Sequence, residues 1–257
     1  MLRAVLWLFS AIVAVLLTVL AFLPAAWMSV VLEKQTDGRF SLGDAQGTLW
    51  NGSAFLGGAP GTGAAVAPLL PGRFSWRLSP LVLVGRVDAE LSNPAALSQP
   101  VRIGGSWSAW TVSAASVILP AERLAALGAP LNTLQPSGRM TLSWQPLQIA
   151  RQGQQVAMTG AMQLLLEDMA SRLSPIRPLG AYRITLDWRG QQAQMQLTST
   201  RGPLLLTGSG RLDRGRMRFS GRAQAENGQE QRLAHLLNLL GQRRSEGGKD
   251  YISLEFK

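Results

Sequence analysis

The chain has 257 residues, no cysteine, one histidine and a formal net charge of +10. This composition excludes disulfides, thiolate metal sites, cysteine nucleophiles and multi-histidine metal sites. Arginine supplies most of the positive charge and is spread along the chain, which disfavours nucleic acid. A solvated arginine-rich sheet face, anionic lipid and an acidic protein partner remain compatible with this charge.

Residues 4–32 contain no charged side chain, and residues 4–23 are almost wholly apolar. A helix of about 20 apolar residues spans a bilayer, and the run is longer than a signal-peptide core, so we predict an uncleaved anchor. Arg3 precedes the run, and Glu33 and Lys34 cancel after it, so charge favours a cytoplasmic N-terminus by one residue. The predicted organisation is a cytoplasmic stub at 1–3, a transmembrane anchor at 4–32 and an external domain at 33–257.

The GTLWNGSA motif at residues 47–54 follows the first charged segment. Asn51-Gly52 is typical of the centre of a type I′ hairpin, and a turn or bulge accounts for Gly47 and Gly52. Trp50, next to Leu49, is interpreted as a core anchor, with a binding role as the alternative. Residues 60–71 are rich in Pro and Gly and predict a loop.

Apolar and polar residues alternate in several later segments, as in half-buried strands. The apolar positions are Phe74, Trp76 and Leu78; Met140, Leu142 and Trp144; Tyr182, Ile184, Leu186 and Trp188; Met195 and Leu197; and Met217 and Phe219. One apolar and one polar face indicate an antiparallel sheet and disfavour a parallel α/β sheet. The predicted fold is therefore mainly β, a curved antiparallel sheet with one or two short helices.

Two short helices are predicted, at residues 120–127 and at about 228–242. In the second, Asn227 and Glu230 form a capping-box pattern, Gly241 closes the helix, and Arg243 and Arg244 complement its dipole. Its apolar stripe consists of Leu233, Leu236, Leu237 and Leu240. This helix is expected to cover one face of the sheet, and a last strand is predicted at 251–256.

Motifs for catalysis are missing from the sequence. There is no G-x-S-x-G pentapeptide and no phosphate-binding G-x-x-x-x-G-K-[ST] loop. His235 lies beside the leucine stripe, and Glu167 and Asp168 would point apart on a strand. We predict a protein that is not an enzyme, with no catalytic residues, cofactor, metal or small-molecule substrate.

Several motifs together resemble the type II secretion system protein N family of Gram-negative bacteria. They are LPAAW at 23–27, GTLWNGSA at 47–54, SWRLSPLVLVGRV at 75–87, RLSPIRPLGAYRITLDWRG at 172–190, GPLLLTGSGRL at 202–212, GRMRFSGRAQAENG at 215–228 and HLLNLLGQRR at 235–244. The structural motif residues are Gly47, Leu49, Trp50, Gly52, Trp76, Trp144, Trp188, Leu236 and Leu240.

The resemblance implies a single-pass inner-membrane protein with most of its chain in the periplasm. It implies an accessory role in the general secretion pathway, which exports folded proteins, through contacts with the secretin or inner-membrane platform subunits. An exposed sheet edge is one means of such contact. The alternative is a lipid-handling protein of the AsmA or lipopolysaccharide-transport kind, whose β-taco sheet holds acyl chains in an apolar groove.

Overall fold

A computed structural model describes residues 2–59, 61, 65–127, 131–153, 155–214, 216–246 and 249–256. Most of this part of the chain belongs to one large curved antiparallel sheet. Its strands are β1 Phe40–Gly47, β2 Asn51–Gly58, β3 Ala67–Pro68, β4 Phe74–Leu78, β5 Arg86–Ser92, β6 Val101–Ser106, β7 Ala109–Val112, β8 Ala115–Pro120, β9 Pro136–Trp144, β10 Leu147–Gln152, β11 Gln155–Ser171, β12 Gly180–Gly190, β13 Gln192–Arg201, β14 Leu204–Asp213, β15 Arg216–Ala225, β16 Gln242–Glu246 and β17 Lys249–Phe256. The helices are α1 Leu2–Ala21, α2 Ala26–Gln35, α3 Leu131–Leu134 and α4 Glu230–Leu240, and 3-10 turns cover Pro80–Val84 and Ala121–Leu127.

Neighbouring strands in the chain are mostly neighbours in the sheet. Pairing runs from β1 through β2, β4, β5, β6, β7 and β10 to β11, and from β11 through β12, β13, β14 and β15 to β17 and β16. Strand β11 is 17 residues long, so one of its edges accommodates both β10 and β9, and β8 pairs with β9. Because the strands are antiparallel, their connections gather at two opposite ends of the sheet.

We name these ends after the helices that lie there. The α1 end holds the turns at residues 48–50, 79–85 and 107–108, and the hairpins that join β12 to β13 and β14 to β15. The α4 end holds the connection at residues 172–179 and helix α4, where Leu233 and Leu236 pack against Ile176, Leu179 and Leu204. The two ends of the sheet therefore carry different structures.

The apolar face of the sheet is filled at the α4 end. Leu233 is fully buried, and Leu237 and Leu240 pack against a second cluster formed by β15 and β17. That cluster consists of Phe219, Ala223, Ile252 and Leu254. The stripe read from the sequence thus faces the sheet, as predicted.

The alternating segments all lie in strands, which confirms the predicted mainly β, antiparallel fold. In β4, Phe74 and Trp76 are buried while Ser75 and Arg77 are exposed. The other predicted segments lie in β9, β12, β13 and β15. The last strand also forms, in β17. The loop predicted at 60–71 contains the two-residue strand β3, and residues 60 and 62–64 lie outside the described residues.

The uncharged N-terminal run is not one continuous helix. Helix α1 ends at Ala21 and α2 begins at Ala26, with Pro24 between them. Proline has no backbone N–H and disfavours helical geometry in the preceding residue, which accounts for the break. Across the described ranges, no helix combines the length and hydropathy of a membrane span. The anchor stays a prediction.

Two details predicted for the second helix are wrong, and a third is confirmed. The helix starts at Glu230 after Gln229, which makes no side-chain capping bond, so Asn227 does not cap it. Gly241 ends the helix as predicted, with an extended φ of 170°. Arg243 and Arg244 lie in β16, because the chain leaves the helix directly into a strand that pairs with β17. The helix predicted at 120–127 is a 3-10 helix at Ala121–Leu127. It starts one residue later than predicted because Pro120 is still part of β8, where it pairs with Arg139.

Replacing Leu233 with alanine tests the packing of α4. Leu233 is 0% exposed, so Leu233→Ala should lower the free energy of unfolding by about 2–5 kcal/mol through lost burial and a cavity. The matched control is Leu239→Ala on the same helix, where the side chain is 57% exposed and the change should stay within about 0.5 kcal/mol. Urea denaturation measures both, and equal effects would contradict the packing described.

Candidate functional site at the joint of the N-terminal helices and the sheet

The chain between α1 and α2 is joined to the turn between β1 and β2 by backbone hydrogen bonds. The amide of Leu49 donates to the carbonyl of Leu23 at 2.7 Å, and the amide of Ala25 donates to the carbonyl of Gly47 at 3.1 Å. Pro24 and Thr48 form an isolated antiparallel bridge between these bonds. The LPAAW and GTLWNGSA motifs are therefore partners in space, and we call their contact the joint.

Two tryptophan indoles extend the joint on either side. The Nε1 of Trp50 donates to the carbonyl of Leu20 at 2.7 Å, and the Nε1 of Trp76 donates to the carbonyl of Leu49 at 3.0 Å. Leu20 is in the last turn of α1, where carbonyls have no partner within the helix. Trp50 is half-buried and fastens the end of α1 to the sheet, which differs from the predicted core anchor.

The predicted turn at Asn51-Gly52 is wrong by a few residues. Asn51 begins β2, and the turn precedes it, closed by the amide of Thr48 donating to the carbonyl of Asn51 at 2.9 Å. Gly47 takes the positive φ of 85° that the turn requires. Gly52 pairs with both Gly47 and Trp76, so it lies inside the sheet. Gly47, Thr48 and Leu49 are also the residues that bond to residues 23–25.

Gly52 is required by the close approach of its neighbours. A Cβ atom at this position would lie 2.5 Å from Cζ2 of Trp76 and 2.7 Å from the carbonyl oxygen of Thr48. These distances are well inside van der Waals contact, and the second involves backbone that cannot move without opening the turn. Glycine therefore allows the Trp76 ring to pack directly on β2.

A small apolar cluster fills the space beneath the joint. Its buried members are Ala25, Ala54 and Trp76, and Met28, Leu42, Ala45 and Leu91 pack around them. Helix α2 is also tied to β1 by polar bonds: the hydroxyl of Ser29 donates to the carbonyl of Leu42 at 3.0 Å, and that of Ser41 donates to the Glu33 carboxylate. The N-terminal segment is thus held by backbone, aromatic and polar contacts together.

An arginine supports the irregular part of β1 close to the joint. Arg73 donates to the carboxylate of Asp44 at 2.7 Å and to the hydroxyl of Ser53 at 2.9 Å, and its guanidinium lies over the Phe55 ring. The hydrogen bond from Arg73 holds the pKa of Asp44 below its usual value, with a smaller contribution from Gln46. Asp44 is exposed, so this interaction stabilises the strand above the ordinary carboxyl pKa and is lost as the pH falls.

The remaining predicted motif residues lie elsewhere. Trp144 donates to the carbonyl of Ser113 at 2.9 Å, and Trp188 is half-buried, with an enclosed indole nitrogen that has no hydrogen-bond partner among the described residues. Leu236 and Leu240 lie on α4 at the opposite end of the sheet. The structure therefore brings together Gly47, Leu49, Trp50, Gly52 and Trp76, and it separates Trp144, Trp188, Leu236 and Leu240 from them.

Tyr182 is a buried residue whose hydrogen-bonding role the sequence did not predict. Its hydroxyl donates to the carbonyl of Leu204 at 3.1 Å, and burial raises the pKa of the phenol. Alternation placed Tyr182 on the apolar face, but the distant carbonyl that accepts its hydrogen bond is visible only in the folded chain. Its bond ties β12 to the start of β14 beside α4.

The joint offers hydrogen bonds and apolar packing, which position elements of structure. His235 is exposed on α4, and the part of the chain that the structure describes holds no group of three or more His, Asp or Glu suited to a metal ion. Glu167 and Asp168 lie at a bulge in β11, where Asp168 has a positive φ of 51° and pairs with Arg201 at 2.7 Å.

The lipid-handling alternative required an open apolar groove along the sheet. At the α4 end, Leu233 and Leu236 cover that face, so the groove is closed there. A cavity of about 560 Å³ remains beside α4, and its lining is partly polar, with Glu226, Glu230 and Arg243 among its residues. This lining does not suit an acyl chain.

Replacing Gly52 with alanine should open the joint. Gly52→Ala places a methyl group against the Trp76 ring and the Thr48 carbonyl, so we expect a loss of about 1–3 kcal/mol in the free energy of unfolding. Gly43→Ala is the matched control, since a Cβ there meets no atom within 4 Å and the change should stay within about 1 kcal/mol. Urea denaturation measures both, and a neutral Gly52→Ala variant would contradict the close packing.

Comparison with known families adds one finding to this geometry. The family model described as type II secretion system (T2SS), protein N matches residues 38–250, which include the β1–β2 turn, most of the sheet and α4. Comparison with curated proteins and with solved structures gives no match. Because the family model covers most of the chain, the protein belongs to the type II secretion system protein N family.

Proposed function

We propose that the protein is an accessory inner-membrane subunit of the type II secretion system, acting through contacts with other proteins. Family membership supports involvement in type II secretion. In this proposal residues 4–32 attach the chain to the inner membrane, residues 1–3 lie in the cytoplasm and residues 33–257 lie in the periplasm. The uncharged N-terminal run and the exposed apolar side chains of α1 support the attachment.

The joint is the observation that carries the proposal. Trp50 ties the end of α1 to the β1–β2 turn, and Trp76 ties that turn to β4 within a buried apolar cluster. A sheet fastened in this way is held at a fixed place next to the surface that holds α1. Such an arrangement suits a subunit that presents a docking surface to neighbouring components.

Strand β16 is the proposed docking edge. Among the described strands it pairs only with β17, and its residues Gln242, Arg243, Arg244 and Ser245 are exposed. An unpaired strand edge accepts an added strand from a partner through backbone hydrogen bonds. In this proposal the secretin or an inner-membrane platform subunit supplies that strand.

Photo-crosslinking tests the docking edge. A crosslinking amino acid in place of Ser245 should capture a secretion subunit in membranes of cells that express the whole system. The control position is Gln196, which is also exposed but lies in β13, whose edges pair with β12 and β14. Capture of the same subunit with equal yield from both positions, or of none from Ser245, would contradict docking at β16.

A secretion assay tests the role in export. Deletion of the gene should trap exported enzymes in the periplasm, and the wild-type chain and the Gly43→Ala variant should restore their release. Gly52→Ala should restore less, because its added methyl group disrupts the joint. Immunoblotting of each variant controls for protein level. Normal export after deletion would overturn the proposed accessory role.

A further inference from the structure

The α1 end of the sheet exposes large apolar side chains on a protruding turn. Leu81 and Leu83 are about half exposed, and Val84 is 77% exposed. Trp107, in the neighbouring β6–β7 connection, is 58% exposed. Contiguous apolar side chains on a surface mark contact with another apolar phase or partner.

These side chains are held in place by hydrogen bonds. Ser79 caps the Pro80–Val84 turn by accepting a bond from the amide of Leu81 at 3.3 Å, and Gly85 ends it with a φ of 93°. Trp107 donates its backbone amide to the carbonyl of Gly85 at 3.2 Å and its indole N–H to the carbonyl of Val82. The turn and Trp107 therefore form one fixed apolar tip.

The apolar tip lies next to the place where α1 leaves the sheet. The amide of Leu78, just before the turn, donates to the carbonyl of Trp50 at 2.7 Å, and the indole of Trp50 holds Leu20. Between residues 6 and 19 of α1 every side chain except half-buried Val13 is exposed. The apolar surfaces of α1 and of the tip thus occur at the same end of the molecule.

Arginines surround the apolar tip. Arg86 follows the turn directly, and the amide of Arg151 donates to the carbonyl of Ser108 at 2.7 Å, which places Arg151 beside Trp107. Val87, Trp107, Trp110 and Arg151 line an open recess of about 460 Å³. Arg216 lies at the hairpin that joins β14 to β15, whereas Arg189 and Arg214 at the hairpins of this end pair with Asp187 and Asp213. Apolar and aromatic tips beside arginines match the boundary between acyl chains and anionic headgroups.

We propose that the α1 end of the sheet rests on an anionic lipid surface. Leu81, Leu83, Val84 and Trp107 enter the interfacial layer, and Arg86 and Arg151 contact lipid phosphates. The inference rests on the proposed membrane attachment of α1, and it adds a second lipid contact that orients the sheet. Lipid is favoured over a protein partner because the tip continues the apolar surface of α1 and carries positive charge.

Single labels test the proposal, because the chain has no cysteine to remove. An environment-sensitive fluorophore is attached to cysteine in the full-length variants Val84→Cys, Leu16→Cys on α1 and Leu239→Cys on α4. Each is reconstituted in vesicles of equal parts phosphatidylcholine and phosphatidylglycerol that carry a lipid-linked quencher. All three replaced side chains are exposed, so the substitutions preserve the core.

The labels separate the inference from the proposed attachment. Blue-shifted, quenched emission from positions 84 and 16, with water-like emission from position 239, is the expected result. Quenched emission from the label at position 16, with water-like emission from the labels at positions 84 and 239, would overturn the inference and leave the attachment standing. Quenching at 84 but not at 16 would support the lipid contact and overturn the attachment. Water-like emission at both would overturn both, and shielding of 84 only after other secretion proteins are added would assign the tip to a protein.

Removing the positive charge of each arginine provides the second readout. In the Val84→Cys background, Arg86→Gln and Arg151→Gln should each weaken contact with the anionic vesicles by roughly fivefold. Pure phosphatidylcholine vesicles should show no such loss. The control is Arg102→Gln, whose side chain pairs with Glu90 away from the tip. Equal losses in both vesicle types would overturn the role of the two arginines.

Discussion

The contact of Trp50 and Trp76 with the N-terminal segment fixes where α1 meets the sheet. Trp50 reaches the last turn of α1, Trp76 reaches the turn that precedes β2, and Gly52 leaves the space in which the Trp76 ring lies. The backbone bonds of Leu49 and Ala25 complete the connection. Without these contacts a helix that buries few of its own side chains would have no defined direction relative to the strands.

The two ends of the molecule carry different structures. At the α4 end the sheet's apolar face is closed by Leu233 and Leu236, and strand β16 follows the helix as an edge. At the α1 end the joint, the apolar tip and several arginines share one surface. In the proposed function the α1 end faces lipid while β16 is left for partners, so membrane contact and protein contact do not compete.

Much of the sheet could be predicted because its cause is local. Alternation of large apolar and polar residues around Trp76, Trp144 and Trp188 places strands correctly, since side chains of a strand point to opposite faces. The leucine stripe of α4 likewise predicts which side is buried. In both cases the signal is carried by residues close together in the chain.

The joint could not be predicted because its partners are far apart in sequence. The bond from Trp50 to Leu20 links residues 30 positions apart. The Asn51-Gly52 pair by itself predicts a turn at those two residues, whereas the folded chain has its turn just before them, where Thr48 pairs with Pro24. The edge strand β16 was missed for a related reason. Its polar residues carry no alternation, and only pairing with β17 makes them a strand.

Amide hydrogen exchange of the full-length protein tests the joint most directly. The amides of Ala25 and Leu49 donate to carbonyls across the joint, so they should be protected to the same degree as paired amides in β4 and β5. Exchange of both at the rate of an exposed loop, with β4 and β5 still protected, would contradict the joint and the fixed position of α1.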